Sequence, residues 1–226
     1  MSCLFEAVLF DCDGVLVDSE PITNGVLREM LNELGWELSA EECMAMFVGK
    51  ALKDEVEMIA HHTGEPVDAE WILRFQARRN AALRERLTAI PNVHAAVQAL
   101  HIQYQGQIAC ASGADRYKVE MQLGQVGLMQ YFEGRIFSGY ETPRSKPFPD
   151  VYLAAAAALR ADPRRCAVVE DTVIGITAGV AAGATVFGYA PQGGAAALLA
   201  AGASRIFTDM TQLPRLLMEK VADARS

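Results

Sequence analysis

Apolar residues gather along the chain into short unbroken runs closed by turn-forming residues, at 6–10, 107–111, 135–137, 167–169 and 185–187. A strand covered on both faces reads as such a run rather than as an alternation, so each run predicts a buried strand. Between the runs, apolar positions recur at helical spacing over 92–104, 115–123, 149–159 and 174–182. Strand alternating with helix predicts crossover connections and a parallel sheet, an α/β core of the doubly wound, Rossmann-like kind. Gly183 stands where the last of these helices must stop before the next strand.

One interval breaks the alternation. From 19 to 88 no run has strand character, and helical segments occupy 21–34, 40–46, 52–62 and 68–87, punctuated by Gly35, Gly49 and Gly64. The interval is far too long for a loop between neighbouring elements. It predicts a helical subdomain, residues 19–88, inserted into a core made of residues 1–18 and 89–226. A chain of 226 residues suits one large domain with an insertion, and 51% apolar residues suffices for a packed core.

Composition narrows the function. A net charge of −8 argues against a nucleic-acid partner, because phosphate backbones are held by basic surfaces. No stretch approaches the ~18 apolar residues of a membrane span, so no membrane partner is expected. The start, MSCLFEAVLFDCDG, lacks the basic, apolar and small-residue order of a secretion signal. Five scattered cysteines (Cys3, Cys12, Cys43, Cys110, Cys166) without CxxC spacing read as reduced, buried thiols, which with the rest predicts a cytoplasmic protein.

The strongest chemical signal is AVLFDCDGVLVDSE. Asp11 and Asp13 follow an apolar strand at i, i+2 spacing, which places them on one side of the strand end, and Gly14 permits a tight exit. Ligands of open parallel sheets bind at the carboxyl ends of strands. Paired carboxylates there can hold a hard cation and divide labour between nucleophile and proton carrier. An ordinary strand-ending turn has the same composition, and a calcium loop shares DxDG but would need a closing Glu that is missing. Three further predicted strand ends carry polar groups. Ser112 and Gly113 precede a helix and form an anion cradle or an ordinary cap. Lys146, in RSKPFPD, is a rigidly held cation or a surface charge, and Glu170 and Asp171, in VVEDTVIG, are metal ligands or helix caps.

In that order Asp11-Cys12-Asp13-Gly14-Val15, Ser112, Lys146-Pro147 and Glu170-Asp171 with Gly175 resemble the four ordered motifs of the haloacid dehalogenase superfamily, over nearly the whole chain. The resemblance implies an HAD-like core with a small helical cap, and a phosphatase. It makes Asp11 the nucleophile that forms an aspartyl-phosphate and Asp13 the general acid, then base. It gives Ser112 and Gly113 to the phosphoryl group and Lys146 to charge neutralisation. It implies Mg2+ held by the Asp11 carboxylate, the Asp13 backbone carbonyl and Asp171, with Glu170 assisting.

Asp13 sets the chain apart from dehalogenases, which lack the second aspartate. A mutase similar to beta-phosphoglucomutase is the nearer rival, but Thr23 and Leu52 stand where its cap histidine and distal-phosphate arginine would align. The segment YFEGRIFSGYETPRSKPFPDV resembles bacterial sugar-phosphate phosphatases, the 6-phosphogluconate phosphatase group in particular. The expected partner is a small phosphorylated metabolite, a sugar or sugar-acid phosphate, and the expected state a monomer or weak homodimer. Glu20, Lys50, Lys53, Arg74 and Arg78 are the candidates to face the leaving group, Lys50 foremost because it follows Gly49. A non-catalytic phospholigand-binding module and a receiver-like signalling domain are the readings from other classes.

Overall fold

The structure is a computed structural model and describes residues 4–50 and 52–219. The chain runs β1 (Ala7–Phe10), α1 (Glu20–Glu33), α2 (Ala40–Phe47), α3 (Val56–Thr63), α4 (Ala69–Arg86), α5 (Val93–Gln103), β2 (Ile108–Ser112), α6 (Arg116–Gln125), α7 (Met129–Phe132) and β3 (Ile136–Ser138). It continues through α8 (Asp150–Ala158), β4 (Cys166–Glu170), α9 (Val173–Ala181), β5 (Thr185–Tyr189), α10 (Ala195–Ala200), β6 (Arg205–Phe207) and α11 (Leu213–Leu216). Six parallel strands form one sheet in the order β3-β2-β1-β4-β5-β6. The five expected strands and the parallel sheet are all present. The three-residue edge strand β6 was not among the expected strands.

β1, β2, β4 and β5 bury both faces, whereas the edge strands β3 and β6 are partly exposed. Along β1, Val8 and Phe10 join a core with α5, α6 and α7, whereas Ala7 and Leu9 join a second core with α8, α9 and α10. Four helices between residues 19 and 88 share a third core built on Leu27, Leu31, Phe47, Ile59, Trp71 and Phe75. Chain exit and return are adjacent: Asp18 N–H donates to Thr88 O at 2.9 Å and Val17 bridges Ala89. The N-terminal end of α1 and the C-terminal end of α4 therefore stand nearest the sheet, and α1 packs along α4. Among the described residues, Cys12, Cys43, Cys110 and Cys166 are buried and free, while Cys3 lies outside them. No helix among the described residues is long and apolar enough to cross a membrane.

Candidate active site

The strand order reverses beside β1. The chain builds outward through β2 and β3, then returns to place β4 on the other flank, and the crevice at such a switch point is where doubly wound sheets bind ligands. Asp11 N–H still donates to Val169 O at 3.0 Å, one residue past β1, so Asp11 leaves the sheet beside the end of β4. Its Oδ1 lies 2.7 Å from Lys146 Nζ, which also lies 2.7 Å from Glu170 Oε1 and over the Tyr152 ring. Burial alone would lower the ammonium, but Asp11 and Glu170 outweigh it and hold Lys146 well above the usual lysine range. Burial pushes Asp11 up to about 7, against the pull of Lys146.

Glu170 and Asp171 are neighbours with opposite environments. Glu170 Oε1 accepts from Lys146 and from the Tyr152 hydroxyl at 2.8 Å, and Oε2 accepts from Asp171 N, Thr172 N and the Thr172 hydroxyl. Both oxygens are thus committed, and Glu170 fixes Lys146 and the turn into α9. Gly175 makes room for it, since a Cβ there would fall 1.7 Å from Oε1. Capping of α9 belongs to Thr172, whose hydroxyl accepts from Gly175 N at 3.0 Å. Asp171 is released from that duty, and its Oδ1 is buried with no hydrogen-bond partner among the described residues. Burial first, then the charges of Glu170 and Asp11, drive its carboxyl well above the usual range.

Oxygens of Asp11, Glu170 and Asp171 lie within 4.8 Å of one another. Buried carboxylates crowded this closely repel unless protonated or bridged by a cation, and the unpartnered Asp171 oxygen is the kind of group a cation satisfies. An all-oxygen donor set suits a hard ion such as Mg2+. The residues therefore fit the metal, with Asp11 and Asp171 offering free oxygens and Glu170 acting behind them.

Asp13 lines the same cleft but is aimed differently. Regular pairing of β1 ends at Phe10, so strand alternation does not orient it. Gly14, at φ +77°, turns the chain instead. Asp13 Oδ1 accepts from Lys118 Nζ at 2.7 Å, from Gln122 Nε2 at 3.0 Å and from the Ser19 hydroxyl. Burial would raise this carboxyl, but Lys118 above all, with Ser19 and Gln122, holds it down at about 2. Lys118, Gln122, Ser19 and Tyr152 are absent from the sequence-based site. Lys118 and Gln122 had a signal: they flank Val119 and Leu123 on the buried stripe of α6, where a polar residue needs a reason. Ser112 is buried at the cleft floor beside Gly113, its Oγ accepting from Ala114 N at 3.1 Å.

A cavity of about 100 Å³ separates this floor from the α1–α4 helices. Glu20, Thr23 and Lys50 line it, as does Leu52. Lys50 sits at the rim, paired with Glu55 at 3.2 Å. Three of the expected cations, Lys53, Arg74 and Arg78, are not among the residues that line the cavity. Arg74 pairs with Glu70 and Arg78 with Glu33, both on exposed surface. Lys53 lies over the Tyr140 ring at 4.5 Å. The α4 arginine that lines the cavity is Arg79, one position and about 100° round the helix from Arg78.

The family model of a haloacid dehalogenase-like hydrolase matches residues 5–183. The chain belongs to that family. Its relatives include 6-phosphogluconate phosphatase of Escherichia coli K12, 30% identical over 214 residues that span 93% of this chain and 94% of that one. Hexitol phosphatase B of the same organism is 31% identical over 178 residues, 78% of this chain and 79% of that one. Among solved structures, a HAD family hydrolase from Deinococcus radiodurans R1, with bound phosphate and sodium, is 34% identical over 94% of each chain, with a TM-score of 0.73. The family is one of enzymes, and these curated relatives are phosphatases.

Proposed function

We propose that the protein is a Mg2+-dependent phosphomonoesterase acting on a small sugar or sugar-acid phosphate, with 6-phosphogluconate the first choice. The observation that carries the reading is the pair of carboxylates at one sheet end: buried Asp11 bridged to Lys146, and half-buried Asp171 with one buried oxygen unpartnered among the described residues. Asp11 attacks phosphorus in line and becomes the aspartyl-phosphate. Ser112 and the backbone at Gly113 receive the phosphoryl oxygens, and Lys146 neutralises charge while holding Asp11 in place. Asp11, the Asp13 backbone carbonyl and Asp171 would hold Mg2+, which would supply electrostatic stabilisation of the transferring phosphoryl group. Glu170 sets the position of Lys146. Asp13 is ionised where it stands, the form that takes a proton from water when the intermediate is hydrolysed. Protonating the leaving alkoxide first requires it to gain a proton and loosen its hold on Lys118.

Residues 19–88 act as the cap that closes the cleft to bulk water and selects the leaving group. The 6-phosphogluconate phosphatase matches end to end, which supports a sugar-acid phosphate. Thr23 and Leu52 on the cavity wall support hydrolysis over phosphate relocation, since neither supplies a base or a second phosphate cradle. The test is kcat/KM with Mg2+ across 6-phosphogluconate, hexitol and hexose phosphates, phosphoglycolate and nucleoside monophosphates. Sugar-acid and sugar phosphates should lead, and a chelator should abolish turnover. Nucleotides at the head of the panel, or full activity in chelator, would overturn the respective parts.

A further inference from the structure

The cavity wall opposite the catalytic floor is made by one face of each of two packed helices. Glu20, Thr23 and Leu27 of α1, and Ile72, Gln76 and Arg79 of α4, follow the spacing of a single helical face. Because α1 starts and α4 ends at the junction with the sheet, Glu20, Thr23 and Arg79 sit nearest the floor, with Leu27 and Ile72 farther away. The wall therefore offers polar groups close to the scissile ester. Thr23 Oγ1 is buried there without a partner among the described residues.

Arg79 is the decisive group. Its side chain is 7% exposed and bridges to the core: Nη2 donates to Asp115 Oδ2 at 2.9 Å, and Nε and Nη2 both donate to Asn80 Oδ1. The guanidinium also lies 5.7 Å from the Phe75 ring centroid. Asp115 spends its other oxygen capping α6 through Lys118 N. One edge of the guanidinium is thus locked, while Nη1 has no hydrogen-bond partner among the described residues. The other cavity cations are differently engaged: Lys118 and Lys146 on the carboxylates of the floor, Lys50 at the rim with Glu55. A preorganised guanidinium with free N–H groups matches a planar carboxylate better than a hydroxyl, and costs little further ordering on binding.

We propose that Arg79 is the specificity-determining residue of this enzyme and that it reads a carboxylate on the leaving group, selecting sugar-acid phosphates over the corresponding polyol phosphates. The proposal rests on the phosphatase reading only for the identity of the site. 6-Phosphogluconate and sorbitol 6-phosphate are the matched probes, since they differ chiefly by a terminal carboxylate against a hydroxymethyl group. Calorimetric binding of each to the full-length Asp11→Asn protein with Mg2+ measures the preference without turnover.

At least tenfold tighter binding of 6-phosphogluconate is expected. Arg79→Met in that background should bring the two ligands within threefold, by weakening 6-phosphogluconate alone. Arg79→Lys keeps a cation beside Asp115, so it decides the matter if Arg79→Met does not fold, and should reduce the preference at least threefold. No preference in the parent, an equal loss for both ligands, or an equal loss for inorganic phosphate would overturn the proposal. Failure of the unsubstituted protein to hydrolyse p-nitrophenyl phosphate with Mg2+ would instead strike the phosphatase reading, with the binding ranking still judging Arg79.

Discussion

At the scale of single residues, the site depends as much on side chains that are missing as on those present. Gly14 has a positive φ, and a Cβ there would fall 1.9 Å from Asp171 Oδ2. Gly14→Ala therefore has to push Asp171 away from Asp11, besides adopting a left-handed conformation that costs an L-residue roughly 1–2 kcal/mol. The expected outcome is a loss of kcat/KM on the order of 100-fold or more, with a clear rise in the Mg2+ concentration needed for half-maximal activity, about 3 kcal/mol of transition-state stabilisation. Titrating metal against activity checks this. An unchanged metal requirement would mean that Asp171 does not serve the metal. The motif DCDG made Gly14 legible as a turn residue, but not as the wall against which a carboxylate from β4 is set. That contact joins segments more than 150 residues apart and has no local signature.

At the scale of elements, the long runs and long helices were readable because burial imposes a pattern on them. The five apolar runs became strands within a residue or two, and the helical interval at 19–88 holds four helices with their own core. What escaped were elements too short to show a period of their own: α7 of four residues, α10 of six within the alanine-rich stretch, and β6 of three. Motif residues were readable at strand ends, whereas the groups that tune them come from helix faces. α6 is the clearest case, since Lys118 and Gln122 reach Asp13 from more than 100 residues away. Lys118→Met is therefore expected to lower kcat/KM on alkyl phosphates at least tenfold, about 1.4 kcal/mol. The loss should be far from additive with Asp13→Asn, because both changes act through one carboxylate. A double-mutant cycle on kcat/KM measures this. Full additivity would assign Lys118 to the phosphoryl group instead of to Asp13.

At the scale of the whole molecule, the acidic cluster couples stability to pH and to metal. Asp11 is raised to about 7 and Asp171 well above its usual range, both first by burial. A carboxyl whose folded value exceeds its unfolded one contributes stability that is fully present below about pH 4. That contribution is lost as pH rises through the folded value. Asp13, held down at about 2, has the opposite sign, and its contribution is complete above about pH 4 and constant from pH 5 to 8. The metal-free protein should therefore lose stability between pH 5 and 8, as Asp11 ionises beside Asp171 and Glu170. A divalent cation reverses the loss, because it binds the ionised cluster of the folded state and finds no such cluster in the unfolded chain. Mg2+ should accordingly raise Tm more at pH 8 than at pH 5. For a chain of this length each kcal/mol corresponds to about 2–4 °C, so a shift of ~5 °C or more at pH 8 is expected. Asp171→Asn removes an ionisable carboxyl from the crowded cluster, so this variant should melt higher than the unsubstituted protein in chelator at pH 8 and gain little from Mg2+. Thermal melts of both proteins at the two pH values, with Mg2+ or chelator, decide the point. A Mg2+ shift that is independent of pH, or that survives intact in Asp171→Asn, would place the metal somewhere other than this cluster.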